Sequence, residues 1–90
     1  MPRYVVERTF TDALHIPLDV GGAQRCADIV ERNAHEGVTW LHSYLSDSRR
    51  RAYCVYDAPS PEAIRKTASR NDLPVDLITQ VHILDPYFYL

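Results

Sequence analysis

No apolar run in this chain approaches the ~20 residues that a helix needs to cross a bilayer, which excludes a helical membrane span. Cysteine is scarce: Cys26 and Cys54 are the only two, and they form no C-x-x-C pair. That argues against a disulfide framework or a thiolate zinc site and for two buried free thiols in a reducing compartment. Glycine is equally sparse. There is no phosphate-cradling loop, dinucleotide fingerprint or serine nucleophile elbow, and Gly21-Gly22 reads only as a turn into a helix. Basic residues do not exceed acidic ones, and a net charge of −2 offers no general hold on a nucleic acid backbone. Met1-Pro2-Arg3-Tyr4 goes straight into a strand-like pattern without a signal-peptide apolar stretch, so the expected location is the cytoplasm.

What remains is an ordinary globular composition, with 46% hydrophobic and 24% charged residues, in a length that allows one domain over residues 1–90. A chain this short buries only about 60–65% of its unfolded surface, so a partner subunit or a bound ion would add needed stability. Arg3 to Phe10, with Tyr4, Val5, Val6, Thr9 and Phe10, reads as a first strand. After a loop from Thr11 to about Gly21 the period changes. Ala23, Cys26, Ala27, Val30 and Ala34 recur at three- and four-residue steps, predicting a helix with a narrow stripe of small apolar residues, ended by Gly37.

Val38 to Leu45 is a second strand, Ser46-Asp47-Ser48 is turn chemistry, and Arg51 to Tyr56 is a third strand, so the two form an antiparallel hairpin. Ser60-Pro61-Glu62 opens a second helix with a capping side chain, a proline suited to the first turn and a charge that complements the helix dipole. Ala63, Ile64, Thr67 and Ala68 form its inner stripe. Asn71-Asp72 and Pro74 stop it, Val75 to Leu84 is the last strand, and Asp85-Pro86 precedes an aromatic tail, Tyr87-Phe88-Tyr89-Leu90. This order, strand–helix–strand–strand–helix–strand, predicts an α+β ferredoxin-like fold: a four-stranded antiparallel sheet with both helices on one face. The other face has no cover. By alternation either Trp40 and Tyr44 or Leu41 and Leu45 point there, and a face that apolar is an interaction surface. A two-fold homodimer with sheets face to face, a dimeric α+β barrel, is the economical solution, with the tail as a strap across it.

Four histidines carry the chemical interest. Uniform alternation puts Trp40, His42 and Tyr44 on one strand face, and Glu7, mid-way along the first strand, is placed to share it. An imidazole and a carboxylate converging there read either as a hydrogen-bonded pair that fixes the dimer register or as a metal site or acid–base pair; spacing alone favours the structural pair. His15 lies in the first loop. His35 complements the dipole at the helix end, whereas Glu36 beside it must reach solvent or find a cation. His82 falls with Gln80 on the more polar side of the last strand. Without H-E-x-x-H or H-x-H, any ion would take a mixed imidazole–carboxylate–water set, which suits nickel, cobalt, copper or non-haem iron. Arg49-Arg50-Arg51 reads as a solvated hairpin tip.

Val6-Glu7-Arg8, the run Asn33 to Tyr44 (NAHEGVTWLHSY), Tyr53 to Ile64 (YCVYDAPSPEAI) and Leu73-Pro74 together resemble a family of small bacterial proteins. That family was long classed as a domain of unknown function and includes a dimeric nickel-binding protein from Streptomyces. The resemblance implies a ferredoxin-like barrel dimer that binds Ni2+ near its core, with no established catalysis. Among the matching stretches and the loop between them, the candidate ligands are Glu7, Glu36, His42 and His15, with Tyr44 or Cys54 in support. His15 and Glu36 sit at opposite ends of the topology, so two sites, or one completed across the two-fold axis, are expected. The leading expectation is a cytoplasmic nickel-binding homodimer, with no nucleic acid or membrane partner. The alternative is a small cofactor-free monooxygenase or isomerase-like enzyme in which Trp40, His42 and Tyr44 line a pocket and His42 accepts a proton.

Overall fold

A computed structural model describes residues 1–14 and 19–89. Its elements run β1 (Arg3–Thr9), α1 (Val20–Ala34), β2 (Thr39–Leu45), β3 (Arg51–Asp57), α2 (Pro61–Arg70) and β4 (Leu77–Val81), followed by a short 3-10 turn at Pro86–Tyr89. The strands form one antiparallel sheet in the order β2-β3-β1-β4. The expected βαββαβ architecture is therefore present.

Local chemistry accounts for the element ends. Asp19 caps α1 by accepting from the Gly22 amide at 3.0 Å, so this helix begins two residues before the Gly22 predicted from the change of period. Ser60 caps α2 through the Ala63 amide at 3.2 Å, with Pro61 in the first turn, as the sequence predicts. Gly37 has φ +70°, the left-handed conformation that a Cβ disfavours, and it turns the chain from α1 into β2. β4 is shorter than predicted. Asp76 donates its amide to Glu7 before the ladder starts, and His82 lies beyond its end, exposed.

Alternation sorts β1 cleanly: Tyr4, Val6 and Arg8 are buried on the helix side, while Arg3, Val5 and Glu7 face the other way. On β3, Ala52, Cys54 and Tyr56 join the first group. Val6, Ile64 and Ala58 are fully buried at the centre. On α2 the predicted stripe of Ala63, Ile64, Thr67 and Ala68 is the buried one.

The stripe predicted for α1 is rotated. Val30 is half-exposed and Ala23, Ala27 and Ala34 are exposed; the inward residues are Gly22, Cys26, Ile29 and Asn33. Their spacing of four, three and four is as helical as the predicted one. A buried asparagine takes the place of a small apolar residue because it has polar work there: its Oδ1 accepts from Asn71 Nδ2 at 3.0 Å, and its carbonyl accepts the Val38 amide at 3.0 Å. These bonds tie the end of α1 to the end of α2 and to the start of β2.

The different burial of the two helices yields a direct test. Ile64→Ala should destabilise the protein by about 2–5 kcal/mol, since it empties a fully enclosed site. Val30→Ala should change stability by less than about 0.5 kcal/mol. Urea denaturation of the two variants checks both, and equal losses would restore the stripe predicted from sequence.

Candidate functional site

The uncovered sheet face is built by register. Thr39, His42 and Tyr44 stand opposite Asp57, Val55 and Tyr53; these in turn stand opposite Arg3, Val5 and Glu7; and Val81, Thr79 and Leu77 close the row. Tyr44 is 63% and Leu77 53% exposed. The centre of this face is therefore apolar and aromatic, with Arg3 forked onto Asp57 (2.9 and 3.3 Å) at one end. That bond holds the Asp57 carboxyl below its ordinary range.

The ladder between β2 and β3 slips at Leu41: Trp40 pairs with Tyr56, but His42 pairs with Val55, so Leu41 is an extra residue. This corrects the expectation that Trp40, His42 and Tyr44 share a face. Trp40 turns to the helix side, where its Nε1 donates to Ser43 Oγ at 2.9 Å. His42 and Tyr44 turn to the open side and meet edge to face at 5.2 Å. Neither pair offered by uniform alternation is realised, and the three-residue pocket of the enzyme alternative does not form.

Glu7 and His42 do lie on the same open face. They are two strands and two residues apart, so their Cα atoms are on the order of 12 Å apart. Among the described residues Glu7 has one loose ion pair, 3.8 Å to Arg51, which leaves it available to a cation. Glu36 found the partner its position demanded, Arg70 on α2 at 2.8 Å. His15 lies outside the described residues. Among the described residues no three metal-ligating side chains converge. The donor types, imidazole nitrogen and carboxylate oxygen, fit nickel, but the described residues of one chain supply too few of them at one place to fill an octahedron.

Cys26 and Cys54 are both free, the latter buried. Tyr87 and Phe88 of the tail are exposed, at 80% and 83%. No helix among the described residues is long and apolar enough to cross a membrane.

The other side of the sheet buries an arginine. Arg8 is 2% exposed, and its Nη2 donates to the Tyr56 hydroxyl at 3.2 Å. Its Nε and Nη1 have no partner among the described residues. Parity was the available signal, because Arg8 shares the row of Tyr4, Val6 and Phe10. Burial pushes the Tyr56 phenol above its ordinary value; the Arg8 charge works against that shift, and Cys54 adds to it. Folding thus favours the protonated phenol. The stabilisation is complete below the unfolded value of about 10 and is lost as pH rises above it. Chemical denaturation across pH 8 to 11 should show an alkaline fall in stability (roughly these limits bracket the unfolded tyrosine), and Tyr56→Phe should flatten part of it.

Comparison with known protein families matches residues 4–81 to the family described as "Nickel responsive protein SCO4226-like". The crystal structure of SCO4226 from Streptomyces coelicolor A3(2) superposes with a TM-score of 0.73 at 16% sequence identity, over 92% of this chain and 99% of that one. At that identity the likeness speaks for the fold. No curated protein matches the chain.

Proposed function

Because the chain belongs to the SCO4226-like family of nickel-responsive proteins, we propose that it is a cytoplasmic homodimer that binds Ni2+ for buffering or delivery, with His42 and Glu7 among the ligands. The observation that carries this reading is that the Leu41 slip puts His42 on the same uncovered face as Glu7. A second copy laid on that face would cover Val5, Tyr53, Val55 and Leu77 and bring a second His42 and Glu7 toward the first pair. A two-fold axis repeats each contact, so ligands too far apart within one chain can meet across it. Water would complete the coordination.

His42 supplies the imidazole and Glu7 the neutralising charge. Tyr44, whose ring meets the His42 ring edge to face at 5.2 Å, holds the orientation of the imidazole without touching the ion. Glu36 and His15 are proposed as additional or second-site ligands; being at opposite ends of the topology they would serve one ion only across the two-fold axis, and Glu36 only when its ion pair with Arg70 opens. The family's description speaks of nickel response and not of a reaction, which agrees with a binding role.

Untagged protein should retain nickel, and its thermal midpoint should rise with free metal, by the equivalent of about 2.7 kcal/mol at a hundredfold excess over Kd. His42→Ala, at an exposed position, should fold normally and weaken nickel binding more than about tenfold. Unchanged stoichiometry and affinity in calorimetry would remove His42 from the site. Val5→Lys places a charge at the middle of the proposed interface; sedimentation should show a folded monomer where the parent chain is a dimer.

A further inference from the structure

The closed side of the sheet carries an inference independent of nickel. A cavity of about 220 Å³ lies between α1 and the sheet, whereas close-packed interiors hold few voids larger than a water molecule. Phe10, Ile29, Trp40, Leu45 and Leu73 line it, and no carboxylate is among the described residues of its wall. The polar groups of the wall are engaged with one another. Ser43 Oγ accepts from Trp40 Nε1 at 2.9 Å, and the Tyr56 hydroxyl accepts from Arg8 Nη2 at 3.2 Å. The other two Arg8 nitrogens, Nε and Nη1, are each less than 1 Å² exposed, so they are closed to anything inside the cavity. Arg25 is exposed and keeps its charge in water. What the described wall presents to an occupant is therefore mainly hydrocarbon, with two aromatic side chains in it.

We propose that this cavity binds an uncharged single-ring aromatic molecule, about the size of toluene, packed against Phe10, Ile29 and Trp40. The volume sets the size. A dry cavity of roughly 150 Å³ accepts benzene, so this one has space for one ring and a short substituent. An empty apolar void forfeits the contacts its walls could make, and an occupant restores them. A flat ring also gains from aromatic neighbours beyond the area it buries. Charge on the occupant works against binding, because an ion would give up its hydration to a wall whose polar groups are already engaged with each other. The site lies on the helix side, whereas the proposed nickel ligands His42 and Glu7 lie on the open side, so the two readings stand or fall separately.

Trp40 is the single tryptophan of the chain and lines the cavity, so its fluorescence reports occupancy directly. Metal-free protein titrated with toluene should show a saturable change in that signal, and its thermal midpoint should rise with toluene concentration. Nuclear Overhauser effects should connect the toluene protons to the Trp40 indole and the Ile29 methyls. Benzoate and benzylammonium, which carry the same ring with either charge, should each bind at least about tenfold more weakly. Ala52→Leu, at a buried position of β3 that lines the cavity, fills part of the space and should weaken toluene binding by a similar factor. If that variant does not fold, the Overhauser effects and the comparison of neutral with charged rings on the unmodified chain decide the matter. No saturable change up to about 5 mM toluene, the weak end of useful affinity, would overturn the proposal. So would a charged ring that binds as tightly as toluene, Overhauser effects confined to residues outside the cavity, or a folded Ala52→Leu variant that binds toluene unchanged.

Discussion

One unpaired residue governs what each face of this sheet can do. Strand side chains alternate strictly, so an extra residue reverses the facing of everything beyond it. At Leu41 the reversal separates Trp40 from His42 and Tyr44. Without it, Trp40 and His42 would share one face, so either the cavity beneath α1 would lose its largest aromatic wall or the open face would lose its imidazole. With it, Trp40, Ser43 and Leu45 complete the closed side, while the imidazole is delivered to the side where Glu7 waits. The local arrangement supports the slip: the Trp40 indole bonds the Ser43 hydroxyl across the extra residue, which satisfies both groups on the less exposed side.

The closed side is organised around polar groups as much as apolar ones. Asn33 links α1 to α2 through Asn71 and to the start of β2 through the Val38 amide. Glu36 adds an ion pair with Arg70 beside that junction. Buried hydrogen bonds of this kind contribute little net stability each, but leaving a partner unpaired is costly, so they define one arrangement of helix ends against the sheet. α1 meets the rest of the fold along the narrow stripe of Gly22, Cys26, Ile29 and Asn33, and a cavity lined by Arg8, Phe10 and Trp40 lies beside it.

Much of the fold was legible because its signals are local. Ser60-Pro61, the hairpin turn, the stripe on α2 and Gly37 each act within a few residues, and all appear where the sequence puts them. The α1 stripe was misread because two equally helical sets of residues compete there, and hydropathy prefers Val30 to Asn33. Asparagine wins through a bond to Asn71, 38 residues away, which no window on α1 contains. The slip at Leu41 is invisible for a similar reason. Nothing in Thr39–Leu45 marks an extra residue, since register is settled by the partner strand. That Glu7 and His42 share a face was expected, though by uniform alternation; it holds with Trp40 removed from the group. Arg8 was legible by parity and was passed over because arginine on a strand is read as surface.

The two sides of the sheet place related demands on a chain of this size. On the open side, apolar and aromatic residues remain in water; on the closed side, a guanidinium is withdrawn from water with two of its nitrogens unpaired among the described residues. Either would be tolerable in a large protein with stability to spare, but a domain of 90 residues buries too little surface to absorb both easily. Neither feature contributes to the fold of the isolated chain: the exposed apolar residues add no burial, and the unpaired guanidinium nitrogens carry a desolvation cost. The open face becomes favourable once a partner that binds only the folded state covers it, since such binding shifts the folding equilibrium toward the native form. The residues of that face, which look least suited to a small stable monomer, are therefore the ones through which its folding would be coupled to what it binds.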